Sequence, residues 1–219
     1  MDQLEADLSC SGCESIQSQF GEQHAAKDLK RYHRKGPRKT TRLLIDVLKR
    51  EGIHAASLLD VGAGIGIVHH ELLAAGATEA LHVDAAAANI RVAREEATRR
   101  GHAGQVRFLE GDFVSIAAEL PAADVVTLDR VICCYPDMEQ LVGTSAAHAR
   151  RLYGAVFPRD RWLVRALVRV DNFVRKLTGN SFRSYIHPVA AIDAAVHKQG
   201  LRTRAVHETF AWRVAVYAR

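Results

Sequence analysis

Leu58-Leu59-Asp60-Val61-Gly62-Ala63-Gly64-Ile65-Gly66 is the stretch whose reading decides the fold. The apolar run 56–61 (ASLLDV) fits a buried strand, and the glycines that close it lead into a helix over 65–75, with Gly76 where a helix stops. A glycine turn between strand and helix lets a ligand approach the backbone without Cβ interference. The spacing is G-x-G-x-G, whereas the dinucleotide fingerprint is G-x-G-x-x-G. Asp60 stands at the strand end, where a carboxylate suits a cationic ligand group such as an α-amino group and would repel a pyrophosphate.

Strand and helix continue to alternate downstream. Strands are expected over 80–83, 106–109, 124–128 and 152–157, with a closing pair over 203–210 and 213–217. Helices are expected over 86–100, 162–177 and 190–198. Upstream, residues 14–50 read as helical with a break at Gly36-Pro37. Such alternation implies an α/β fold, a doubly wound, mostly parallel sheet with helices on both faces. The 219 residues suit one domain, with 1–50 as an N-terminal helical cap and 158–188 as an insert over an acceptor pocket.

Asp84 ends the second strand, where an acid can accept hydrogen bonds from both hydroxyls of a ribose. Asp112, in Gly111-Asp112-Phe113 after the third strand, can accept from an adenine amino group while Phe113 packs on the ring. The fourth strand runs into Asp129-Arg130-Val131-Ile132-Cys133-Cys134-Tyr135-Pro136-Asp137. Ligands of open α/β sheets lie outside the carboxyl ends of the strands, which makes Asp129 the best-placed carboxylate for an acceptor.

The segments LLDVGAGIG, LHVDAAAA, EGDF and DVVTLDRVICCYPD resemble, in order and spacing, the class I S-adenosylmethionine-dependent methyltransferase family. The resemblance covers about residues 55–219. It implies a seven-stranded sheet with an antiparallel last strand, and S-adenosylmethionine as cofactor. It places Gly62 and Gly64 at the methionine part, Asp84 with Ala85 at the ribose, and Asp112 with Phe113 at the adenine. Asp60 and Asp129 complete the expected cofactor pocket, and N-terminal segments of relatives close over the cofactor, which brings in Tyr32 and Thr40. Asp129, Arg130 and Tyr135 are the expected catalytic residues. Nucleic-acid amino-methyltransferases carry Asn/Asp-Pro-Pro-aromatic where this chain has Leu-Asp-Arg-Val, which counts against a base as acceptor. A small-molecule acceptor is the leading reading. Its alternatives are a porphyrin-type carboxylate, a thiol or metalloid, and an RNA met by the basic residues between Lys27 and Arg42.

Hydrophobic residues make up 48 % of the chain and charged residues 25 %, which allows a full core and excludes disorder as the main state. No apolar run reaches the roughly 20 residues of a membrane helix, and the acidic, polar start is unlike a signal peptide, so a cytoplasmic location is expected. Cys10, Cys13, Cys133 and Cys134 are weak candidates for a thiol or metal site, and their preferred reading is packing. In the insert, Arg165, Arg169 and Lys176 fall opposite Leu163, Leu167, Val170 and Val174, as in an ordinary surface helix.

Overall fold

The computed structural model of the protein describes residues 13–219. Helices α1 (Cys13–Gln19), α2 (Glu22–Lys35) and α3 (Lys39–Arg50) precede the sheet. Then follow β1 (Ser57–Val61), α4 (Ile67–Leu73), β2 (Glu79–Asp84), α5 (Ala87–Arg100), β3 (Val106–Glu110) and the short α6 (Phe113–Ile116). The second half comprises β4 (Ala123–Asp129), α7 (Met138–Ala147), β5 (Ala149–Pro158), α8 (Trp162–Leu177), α9 (Val189–Lys198), β6 (Arg202–Glu208) and β7 (Trp212–Ala218).

The seven strands form one sheet of order β3-β2-β1-β4-β5-β7-β6, in which β7 runs antiparallel to both neighbours. Adjacent side chains of a strand point to opposite faces, and here both faces are covered. Leu58, Val125 and Val156 meet Leu44 and Leu48 of α3 and Val68 and Leu72 of α4. Leu59, Val126 and Phe157 meet Leu141 of α7 and Ile192 and Val196 of α9. Burial on both sides is why β1 reads as an unbroken apolar run; each such Leu, Val or Phe contributes about 1.5–3 kcal/mol.

Strand order reverses between β1 and β4, so the carboxyl ends of these neighbours diverge and open a cleft. Arg130, directly after β4, is held at φ +66°. That left-handed turn redirects the chain across the cleft, a strain typical of functional loops.

The structure adjusts three sequence expectations. The helix after the glycine loop starts at Ile67, because Gly66 (φ +82°) spends one residue in a left-handed N-cap. Strand β5 begins three residues early, at Ala149, since the exposed Arg150 and Arg151 precede its buried stretch. Helix α7 had no sequence signal: Gly143, Thr144 and Ser145 are weak helix formers. Burial of Met138, Leu141, Val142 and Ala146 overrides them, with Asp137 capping the first turn through Gln140 N at 3.0 Å.

Candidate active site

The cleft at the β1/β4 switch point has a volume of about 490 Å³ and is lined by the glycine loop, Asp84, Ala85, Asp112, Phe113, Asp129 and Arg130. Phe20 of α1, His24 and Asp28 of α2, Arg38, Thr41 of α3, Tyr135, Arg175 of α8, Phe182 and Trp212 complete the wall.

The two glycines expected to admit a ligand have different tasks. Gly62 (φ +61°) makes room for the protein: a Cβ there would lie 2.8 Å from Val131 Cβ. Gly64 (φ +58°) faces open space, with nothing within 4 Å of a would-be Cβ. Left-handed backbone costs an L-residue about 1–2 kcal/mol, so Gly64→Ala is expected to lose about that much stability while its methyl group intrudes on the cleft. Gly62→Ala adds a collision with Val131 and is expected to lose about 1–3 kcal/mol more. Denaturant midpoints of the two variants check this order; equal losses contradict it.

The donors of the glycine loop are already engaged. Gly62 N and Ala63 N donate to Val83 O, Gly66 N donates to Ala63 O, and Gly64 N donates to Asp84 Oδ2 at 2.7 Å. A pyrophosphate would find these amides engaged and five carboxylates (Asp28, Asp60, Asp84, Asp112 and Asp129) bordering the cleft, against three guanidinium groups (Arg38, Arg130 and Arg175). The donor set fits a ligand carrying positive charge, as a sulfonium and an α-ammonium do.

Each acid is held differently. Asp84 is buried and accepts also from Ala86 N (2.8 Å) and Asn89 Nδ2 (3.2 Å). Burial raises its pKa, and these three donors oppose the rise. A carboxylate has about four acceptor sites, which leaves one for a ligand and not the two expected for a ribose diol. Asp60 differs more from expectation. Its Oδ1 accepts from Thr127 Oγ1 at 2.7 Å and its Oδ2 bonds His69 Nδ1 at 3.0 Å, so its carboxylate chiefly ties β1 to β4 and α4. Asp112 caps α6, accepting from Ser115 Oγ (2.7 Å) and from the hydroxyl of Tyr135 (3.3 Å). Phe113 lines the cleft, yet most of its ring is core, edge-on to His148.

Asp129 is the exceptional acid. Thr41 Oγ1 donates to its Oδ2 at 2.6 Å, while its buried Oδ1 has no hydrogen-bond partner. Burial pushes its pKa up to about 6, against the Thr41 bond and the charge of Arg130, which pull it down. Arg130 turns its guanidinium aside, donating to Thr40 Oγ1 (3.0 Å) and stacking 4.3 Å over Trp212.

Two expected cofactor residues are absent from the lining. Tyr32 is buried between α2 and α5, its hydroxyl bonded to Glu71 and Arg100. Thr40 holds Arg130, and Thr41 faces Asp129 instead. Both threonines are buried on α3, so helical phase does not separate them; their partners across the cleft do. Trp212 was missed as well; it pairs with Pro158, a register set only by sheet closure. His187 bonds Tyr135 O at 3.0 Å and stacks on Tyr185. The Sγ atoms of Cys133 and Cys134 lie 4.0 Å apart, and both contact Arg130 O. Cys10 and the Cys13 side chain, the other half of the expected four-thiol arrangement, lie outside the described residues. Among the described residues no group of three or more His, Cys, Asp or Glu is placed to hold a metal ion.

Residues 59–150 match the family profile described as a methyltransferase domain. Among solved structures, the chain resembles magnesium protoporphyrin IX methyltransferase from Synechocystis PCC 6803 with bound SAH. The TM-score is 0.68 at 17 % identity, over 97 % of this chain and 96 % of that one. It also resembles an O-methyltransferase family protein from Burkholderia thailandensis (TM-score 0.67, 18 % identity, 94 % of this chain, 66 % of that one). A putative sarcosine dimethylglycine methyltransferase from Galdieria sulphuraria is a third (TM-score 0.66, 13 % identity, 82 % and 85 %). No curated protein sequence matches. Likeness at these identities establishes the class I methyltransferase fold. The matched segment runs from β1 into the start of β5 and holds the glycine loop, Asp84, Asp112 and Asp129. The Synechocystis enzyme has also been solved with bound SAM.

Proposed function

We propose that this enzyme methylates a hydroxyl group of a small, largely apolar acceptor, with Asp129 taking the hydroxyl proton. The observation that carries this reading is the unpartnered Oδ1 of a buried carboxylate at the end of β4, with a pKa near 6. A base poised there is ionised at neutral pH and strong enough to draw a proton as the nucleophile forms its bond. Bound S-adenosylmethionine supplies the electrophilic methyl group. The acceptor oxygen gains that methyl, the carbon–sulfur pair stays with sulfur as a neutral thioether, and the proton goes to Asp129.

The backbone at Gly64 gives the methionine part its approach, the remaining acceptor site of Asp84 takes a ribose hydroxyl, and Asp112 with Phe113 flanks the adenine. Thr41 fixes the base, and Phe20, Phe182, Trp212 and Val131 supply apolar walls for the acceptor.

A second reading, methylation of a tetrapyrrole carboxylate, draws support from the end-to-end likeness to the magnesium protoporphyrin enzyme and from Arg38, Arg130 and Arg175 in the wall. A carboxylate acceptor needs no base, and an ionised Asp129 would repel it. Transfer of labelled methyl from S-adenosylmethionine to a panel of hydroxylated aromatics and to magnesium protoporphyrin separates the two. The hydroxyl reading expects alkali-stable label, with a rate that falls as pH drops through about 6 or, because the cofactor's positive charge favours the carboxylate, somewhat lower. Alkali-labile ester with a flat profile between pH 5 and 7 overturns it.

A further inference from the structure

Helix α8 is mounted inside out. Amphipathic helices of globular proteins turn their apolar stripe to the core. Here the inward seam starts with Val164 and is polar along its second half: Asn172 exchanges two hydrogen bonds with the Ser184 backbone (2.8 and 2.9 Å), and Arg175 donates to Gln19 at 2.7 Å. Val164 is the sole fully buried residue of the helix. Outward, Trp162 (77 % exposed), Leu167, Val170, Phe173 (61 %), Val174 and Leu177 (71 %) form one continuous stripe. Exposed Phe210, beneath the guanidinium of Arg161, extends it from the β6–β7 turn. An apolar stripe of this kind on a protein surface marks an interaction site.

Charge names the partner. Spaced four and seven residues apart, Arg165, Arg169 and Lys176 share one flank of the stripe, and Arg161 stands at its start. On α8 the one acid, Asp171, is neutralised by Arg175 at 2.7 Å. A Trp-, Phe- and Leu-bearing stripe with a basic flank is the chemistry of a helix lying in a bilayer interface. Among the described residues no helix is long and apolar enough to cross a membrane, so contact is along the surface.

We propose that α8 docks this enzyme on an anionic lipid surface, with the stripe among the acyl-chain ends of the headgroup layer and the basic flank on the lipid phosphates and carboxylates. Arg175, on the inward side of the same helix, and Phe182 beneath it line the cleft, so docking sets the rim of the cleft against the bilayer.

The test is co-sedimentation of the full chain with vesicles of phosphatidylcholine alone or with about 30 % phosphatidylserine. Wild type is expected to sediment with the anionic vesicles only. Leu167→Gln with Phe173→Gln, at positions already in solvent, is expected to weaken association by about tenfold or more. Arg169→Gln and Lys176→Gln are each expected to weaken it by about fivefold. Unchanged melting of these variants shows that the fold is kept. No association of wild type, or equal association with neutral vesicles, overturns the proposal. So does a wild-type dimer in sedimentation equilibrium that the apolar double variant dissolves, since the stripe would then serve a second copy.

Discussion

Asp129→Asn is expected to slow methyl transfer by about 10²–10⁴-fold while making the folded protein more stable at neutral pH. The first effect follows from loss of the base. Asparagine keeps the shape and can still accept the Thr41 hydroxyl, but it cannot take a proton. The second follows from the same burial that tunes the base. The fold holds the Asp129 pKa near 6, above its ordinary 3.8, so the folded state favours the protonated acid. Stability is therefore fully present below about pH 4 and lost as pH rises through 6, by an amount of about 3 kcal/mol at the plateau. Asparagine, neutral throughout, escapes that loss. Denaturant unfolding at pH 5 and pH 7, beside single-turnover rates at both, reads the two effects together. A variant that retains more than a tenth of the wild-type rate, or that is less stable at pH 7, removes Asp129 from this role.

The second large effect is expected at Asp84. Asp84→Ala should weaken S-adenosylmethionine binding by about ten- to a hundredfold, the worth of a hydrogen bond to a charged group. The geometry adds a cost to the empty protein. Gly64 N, Ala86 N and the Asn89 amide all lose their acceptor, and a buried donor left unsatisfied costs about 1–3 kcal/mol. Asp84→Asn keeps an acceptor for part of this set and separates the two contributions. Calorimetry on both variants, each shown to be folded, gives the answer. Unchanged affinity in folded Asp84→Ala means the ribose is held elsewhere. Wild type is expected to show no heat with NAD, because Asp84 already occupies the Gly64 amide.

The cleft was legible where function depends on short-range order. A strand, a glycine turn and a helix are consecutive in sequence, so LLDVGAGIG announces the turn, and acids at the ends of β2 and β4 follow from counting to each strand's last residue. Cofactor chemistry was legible for the same reason, since an acid beside a glycine loop selects against phosphate wherever the rest of the chain lies. What an acid does once in place was not legible. Asp60 and Asp129 both end strands of the switch point, yet Thr127 and His69 engage one while the other keeps an oxygen without a partner. Those partners come from β4, α4 and α3, and their distances are products of packing.

Helical phase drew a similar line at the N-terminal segment. Its helices and its break at Gly36 follow from local pattern, and its place over the cleft from the family resemblance, whereas Tyr32 went to a buried network with Glu71 and Arg100. By itself the sequence determined the strand–helix alternation and the doubly wound topology, because each rests on patterns of neighbouring residues, and its resemblance to the methyltransferase family implied the sulfonium-binding class of the cleft. Tertiary structure alone decided which oxygen of which carboxylate stands ready for a proton, that Thr41 rather than Thr40 holds it, and that α8 shows its apolar stripe to solvent. Each of these depends on which way a face points once distant elements have packed. Binary pattern can say that a helix has two faces, but only the neighbours it packs against choose between them.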